Sequence, residues 1–214
     1  MLETSKIRDI VILMEELNSG SLQESLTLVG EILEIEKASP VHLVVVGGSA
    51  LLAAGIISRT TEDVDVLAER GIPEGEIVPI HQLSQALSEA ARRVAAELDL
   101  PANWLNASAA LFSIPVESYP ADLWSEMKRQ AFGSCLEVSF LGRAGLIYLK
   151  FYAAIDPGRK RRKHDRDDLV HLDPTKEEAE KAIKWLYHEE LLNGGNTSEL
   201  LDVLTLLGYE ELIP

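Results

Sequence analysis

The chain has 214 residues, 46% hydrophobic and 26% charged, the proportions of an ordinary globular protein long enough for one large domain or two small ones, which excludes global disorder. A formal net charge of −15 excludes wrapping of extended duplex DNA, which works by counterion release and calls for basic excess. Apolar runs such as Val41–Val46 are too short to cross a bilayer, one cysteine (Cys135) rules out an internal disulfide, and Met1-Leu2-Glu3-Thr4 opens no signal peptide, so the expected compartment is the cytoplasm, with no membrane partner.

Ile7, Ile10, Val11, Met14 and Leu17 recur at helical spacing and predict a first helix over Ser5–Leu17. Ser21 with Glu24 forms a capping box for a second helix to about Lys37, stopped by Ser39-Pro40. The β-branched run Val41–Val46 predicts a buried strand, broken by Gly47-Gly48, with a short helix over Ser49–Ala54. In Asp63-Val64-Asp65-Val66-Leu67 polar and apolar residues alternate, which predicts a strand with both aspartates on one face. Further on, helices are expected over Ile80–Leu98, Asp122–Phe132, Gly142–Ile155, Thr175–Leu192 and Asn196–Leu207, and a strand over Leu136–Leu141. Few strands and a helical last third indicate an α+β fold, a small mixed β-sheet core with N-terminal helices and a helical C-terminal part. The natural division is 1–141 for the core and 142–214 for the helical part, with one cleft shared between them.

Two glycines directly after a buried strand leave backbone N–H groups free to face a phosphate and remove the side chains that would keep it away. The turn is no P-loop, since no Gly-Lys-Ser/Thr follows, and Gly47-Gly48-Ser49-Ala50-Leu51 lacks the spacing of the dinucleotide fingerprint. Asp63 and Asp65, two carboxylates side by side on a strand, repel each other unless a cation lies between them. Mg²⁺ is the expected cation, with Mn²⁺ as a substitute, because it takes hard oxygen ligands and completes its shell with water and nucleotide phosphates. Taken alone, each feature also fits a tight turn or a solvated strand edge. A basic run, Gly158–Arg166, carries Arg159, Lys160, Arg161, Arg162, Lys163 and Arg166 within nine residues of an acidic chain, which points to a phosphate-bearing ligand.

Together, Val46-Gly47-Gly48-Ser49-Ala50 and Arg59-Thr60-Thr61-Glu62-Asp63-Val64-Asp65 resemble the DNA polymerase β-like nucleotidyltransferase superfamily, with its Gly-Gly/Ser turn after a strand and Asp-x-Asp on the next. More narrowly they look like the bacterial and archaeal group related to AbiEii-type toxins and the DUF6036 proteins. Trp104-Leu105-Asn106, Leu149-Lys150 with Ala153-Ala154, and His164-Asp165-Arg166-Asp167-Asp168-Leu169 are similar to further elements of that group, so the resemblance spans roughly 41–172.

The resemblance implies a metal-dependent transfer of a nucleoside monophosphate from an NTP to a hydroxyl on tRNA, protein or a small molecule, with an antitoxin as a further partner. By the same resemblance Gly47, Gly48 and Ser49 hold the phosphates with Arg59 and Thr61 beside them. Asp63 and Asp65 ligate metal, Lys150 and the arginines around Arg162 neutralise triphosphate charge, and Asp165 and Asp168 orient basic groups. The third metal-binding carboxylate of many superfamily members has no obvious counterpart; Glu137 is the best candidate. The alternative function is a catalytically degenerate nucleotide-binding or adaptor protein acting through a partner; a third reading is an unrelated α+β protein with a chance Asp-x-Asp. Cys135 has no base near it in sequence, the histidines have no metal-ligand spacing, and Trp104, Trp124 and Trp185 are expected in the core.

Overall fold

The computed structural model describes residues 16–71, 75–111, 114–158, 162–192 and 196–213. The helix expected over Ser5–Leu17 therefore falls almost wholly outside the described residues. Its last residue, Leu17, is fully buried and forms an isolated β-bridge with Thr61.

The first described helix, α1 (Ser19–Ile35), starts earlier than its predicted capping box. Asn18 is the N-cap: its side chain accepts from Gly20 N at 2.8 Å and Ser21 N at 3.0 Å, and Ser21 Oγ returns the contact by accepting from Asn18 N at 2.9 Å. Ser21 thus closes the box from inside rather than opening it. Strand β1 (Val41–Val46) has the predicted bounds. It is central, pairing antiparallel with β2 (Val64–Arg70) and parallel with β6 (Leu136–Phe140), which explains its apolar run Leu43–Val46. Between β1 and β2 lies the short helix α2 (Gly47–Ala53).

β2 also pairs with β3 (Ile77–Pro79) and, in parallel, with β4 (Leu105–Asn106), while β5 (Lys128–Ala131) forms the far edge on β6. The order β3-β2-β1-β6-β5, with β4 beside β2, makes a six-stranded mixed sheet, and with the helices an α+β fold. Two expectations are corrected here. The helix predicted over Ile80–Leu98 begins only at α3 (Gln85–Leu98), capped by Ser84, and β3 precedes it. The helix predicted over Asp122–Phe132 is a 3₁₀ turn at Ala121–Trp124 followed by β5. Lys128-Arg129-Gln130-Ala131 has no β-branched residue; pairing with β6 overrides its local preference.

The C-terminal part packs around α4 (Arg143–Ile155), buried along nearly its whole length, with α5 (Arg162–Leu172), α6 (Lys176–His188) and α7 (Thr197–Leu207) against it. The predicted Thr175–Glu178 capping box opens α6. Arg143, at the start of α4, donates to the carbonyls of Leu172 at 2.8 Å and Asp173 at 2.8 Å, so a cation closes the carbonyl end of α5. Burial opposes ionisation of Glu178, but the hydrogen bond from Arg143 and the capping contact outweigh it and hold the carboxyl below its usual range. One continuous cluster of buried apolar residues runs from Leu17 to Leu204, across both sides of residue 141. Among the described residues no helix is long and apolar enough to cross a membrane.

Candidate active site

The site forms where β1 ends. Gly47 has φ +72°, the left-handed region, and a Cβ built on it would lie 2.8 Å from Asp65 Oδ2. Glycine is required twice over, by backbone conformation and by the carboxylate packed against it. A Cβ on Gly48 would lie 2.7 Å from Thr61 Oγ1. The register Val46↔Asp65 brings the aspartate to this turn, and Val64 and Val66 on either side of Asp65 are fully buried. Asp63 lies just before β2, half-buried, its carbonyl accepting from Thr61 Oγ1 at 3.3 Å.

A cleft of about 510 Å³, counted to its open mouth, is lined by Gly47, Asp65, Ser108, Leu146, Lys150 and Asp165 among others. Its make-up, apolar walls with a few converging polar groups, is that of a small-ligand site. Lys150 and Asp165, far from Asp65 in sequence, are thus brought to it in space. Lys150 is only 6% exposed; its Nζ lies 2.7 Å from Asp165 Oδ1 and 2.8 Å from Asp168 Oδ2. Asp168 is fully buried and is also gripped by Arg59, whose Nη2 donates to both carboxylate oxygens at 2.7 Å.

Several predicted roles need correction. Ser49 is fully buried and its Oγ donates back to Val46 O at 3.1 Å, so its hydroxyl does not face the cleft. Thr61 is buried, its backbone bonded to Leu17 in both directions. Glu137 is not brought to the aspartates: it pairs across the sheet with His42, four residues up β1 from Val46, or roughly 13 Å along the strand. There it accepts from Arg129 and faces His42, whose Nε2 is 2.7 Å from Ser139 Oγ. Arg166 of the basic run bonds Glu199 on α7 at 2.5 Å, and His164 lines a separate small pocket with Arg59 and Thr60. Arg162 opens α5, but its side chain and Arg159–Arg161 lie outside the described residues.

Sequence reasoning missed Ser108 and the apolar wall of the cleft. The wall was recoverable: Leu146, Leu149, Lys150 and Ala153 follow i, i+3, i+4, i+7 spacing, one face of α4. Trp104 is buried in the core as expected, its Nε1 donating to Ala91 O at 2.9 Å. Among the described residues no group of three or more His, Cys, Asp or Glu side chains converges as a ready metal cage. Asp63 and Asp65, two residues apart in sequence, are donors of the type that suits Mg²⁺, which is commonly held by one or two carboxylates plus substrate phosphates.

Residues 23–111 match the model of a family described as a nucleotidyltransferase of unknown function (DUF6036). The match takes in the Gly47-Gly48 turn, Asp63, Asp65 and the β4 strand beside them; Lys150, Asp165 and Asp168 lie beyond it and join the site through the fold. No curated protein and no solved structure shows a significant match.

Proposed function

We propose, from the premise that residues 23–111 belong to the nucleotidyltransferase-like DUF6036 group, that the cleft between Asp65 and Lys150 binds an NTP and transfers its nucleoside monophosphate to a hydroxyl acceptor. The family match supports the general nucleotidyltransferase role; the NTP, the metal and the acceptor are the finer reading. The observation that carries it is the left-handed Gly47 turn packed on the Asp65 carboxylate and opening into the cleft that holds Lys150.

In this reading the bare backbone at Gly47-Gly48 admits the phosphates close to Asp65. Asp63 and Asp65 would hold Mg²⁺ or Mn²⁺, which when bound would supply positive charge to the phosphates and to the attacking oxygen. Lys150 offers its ammonium to the leaving pyrophosphate. The acceptor oxygen forms a bond to the α-phosphorus as the bond to the pyrophosphate oxygen breaks, and the hydroxyl proton passes to a carboxylate, Asp65 being the nearest candidate. The acceptor belongs to RNA, protein or a small molecule, and a toxin–antitoxin pair is one setting for such an activity. The position of Glu137, against His42 rather than at the Gly47 turn, favours one alternative: a catalytically degenerate nucleotide-binding or adaptor protein acting through a partner.

Calorimetry with ATP, GTP, CTP and UTP, with and without Mg²⁺, tests the reading. At least one NTP is expected to bind, with affinity falling about tenfold or more when the metal is removed, as for loss of a metal-supporting contact. Equal or absent binding in both conditions for all four nucleotides would overturn it.

A further inference from the structure

Arg59 stands four residues before Asp63, where contact with the nucleotide is the simplest expectation. The structure gives its guanidinium another occupation. Nε donates to Asp168 Oδ1 at 3.2 Å, Nη2 to both Asp168 oxygens at 2.7 Å, and Nη1 to Thr60 O at 3.0 Å. Its remaining surface lines a separate pocket with Glu16, Glu62 and His164, and it is not among the residues lining the cleft of Asp65 and Lys150. Arg59 therefore reaches Lys150 through Asp168, while its Nη1 lies 3.8 Å from where a Cβ on Gly48 would stand.

Asp168 is fully buried, and a buried carboxylate is costly unless it is paired and hydrogen-bonded. Here it has two cations. Lys150 in turn has two carboxylates, Asp165 at 2.7 Å and Asp168 at 2.8 Å. These contacts link Arg59, Asp168, Lys150 and Asp165 in an alternating chain of charges. Without Arg59, Asp168 would direct its whole charge at Lys150 and hold the ammonium against any incoming phosphate. Without Asp168, Lys150 would lose one of its two anchors. A lysine has a long flexible stem and a point charge, so its direction is set by such partners rather than by its own shape.

We propose that Arg59 is a positioning residue that acts on Lys150 through Asp168, sharing the Asp168 charge so that the Lys150 ammonium is held in place yet can be transferred to a phosphate. This rests on the reading of the cleft as the nucleotide site. It also gives the Arg-x-x-x-Asp spacing of the β2 approach a purpose: one side chain joins the segment before the metal-ligating aspartates to α5, and through Asp168 to α4.

The test reads Lys150 itself. The full chain and the variants Arg59→Met, Asp168→Asn and Arg59→Met/Asp168→Asn are treated with an amine-acylating ester, and modification of Lys150 is followed by peptide mass mapping against the exposed Lys181 as internal standard. Lys150 in Arg59→Met is expected to react about threefold more slowly or less, and in Asp168→Asn about threefold faster, with the double variant resembling Asp168→Asn. Opposite signs distinguish charge sharing from loosened packing, which would speed the reaction in every variant. Should Arg59→Met fail to fold, Arg59→Lys, which keeps the charge but loses the two-pronged grip, is expected to slow the reaction in the same direction. Arg59 variants that leave Lys150 unchanged or make it faster would overturn the proposal. In nucleotide transfer, Arg59→Met is expected to lower kcat while leaving KM for the NTP within about twofold; a raised KM with unchanged kcat would place Arg59 on the nucleotide and likewise overturn it. A wild-type protein that transfers no nucleotide would remove the reading of the cleft, and the reactivity ratios would still decide the role of Arg59.

Discussion

Asp65→Asn is expected to reduce nucleotide transfer on the order of 100-fold or more while the protein stays folded. Even an outer partner of a metal ligand is typically worth 10–100-fold, and a ligand itself is worth no less. The side chain keeps its size and remains against Gly47, where Asp65 Oδ2 lies 2.8 Å from the point a Cβ would occupy. The substitution conserves volume at a half-buried position, so stability is expected to change by less than about 1 kcal/mol. Turnover and thermal melting measured on the same preparation check both halves. Near-normal turnover would remove Asp65 from the metal site, and a collapsed fold would make it a structural residue instead.

The second large effect falls on stability and chemistry together. Lys150→Met removes the cation facing both Asp165 and Asp168, which are 2% and 0% exposed. Removing one partner of a buried ion pair costs about 3–5 kcal/mol because the remaining charge is left uncompensated. Arg59 still compensates Asp168, so the lower end, about 3 kcal/mol, is expected, equivalent to a fall in Tm of roughly 6–12 °C for a chain of this size. The double variant Lys150→Met/Asp165→Asn removes the Asp165 charge together with the ammonium 2.7 Å from it and is expected to recover part of that stability. It is not expected to recover transfer, because the ammonium proposed to meet the leaving phosphates is gone. Melting curves and turnover for the pair separate the two roles; full recovery of transfer in the double variant would show that Lys150 serves only the fold.

What the sequence made legible follows the range of the interactions involved. β1 was legible because a strand paired on both sides and buried between its neighbours is apolar over most of its length, here Leu43–Val46. The Gly47-Gly48 turn and the Asp-x-Asp segment could be read from residue type and short spacing, although Asp63 stands just before β2 rather than on it as expected. Glu137 was misplaced for want of the β1–β6 register: the strand was right, but Glu137 pairs with His42 rather than with the end of β1. β5 was read as helix because its four residues carry no strand signal of their own and acquire their conformation from β6. Ser49 was assigned to the phosphates by its position after two glycines, but its direction was set by the helix, which turns its hydroxyl onto Val46 O. The grip of Arg59 on Asp168 spans 109 residues, a distance over which spacing carries no information.

The most direct test of the central claim is incubation of the purified chain with each NTP labelled at the α-phosphate, Mg²⁺ or Mn²⁺, and total cellular RNA and protein as acceptors. The account predicts pyrophosphate release matched by label fixed to an acceptor with at least one nucleotide, and loss of both in Asp65→Asn. No release and no fixed label with any of the four nucleotides under either metal, or equal labelling by wild type and Asp65→Asn, would contradict it.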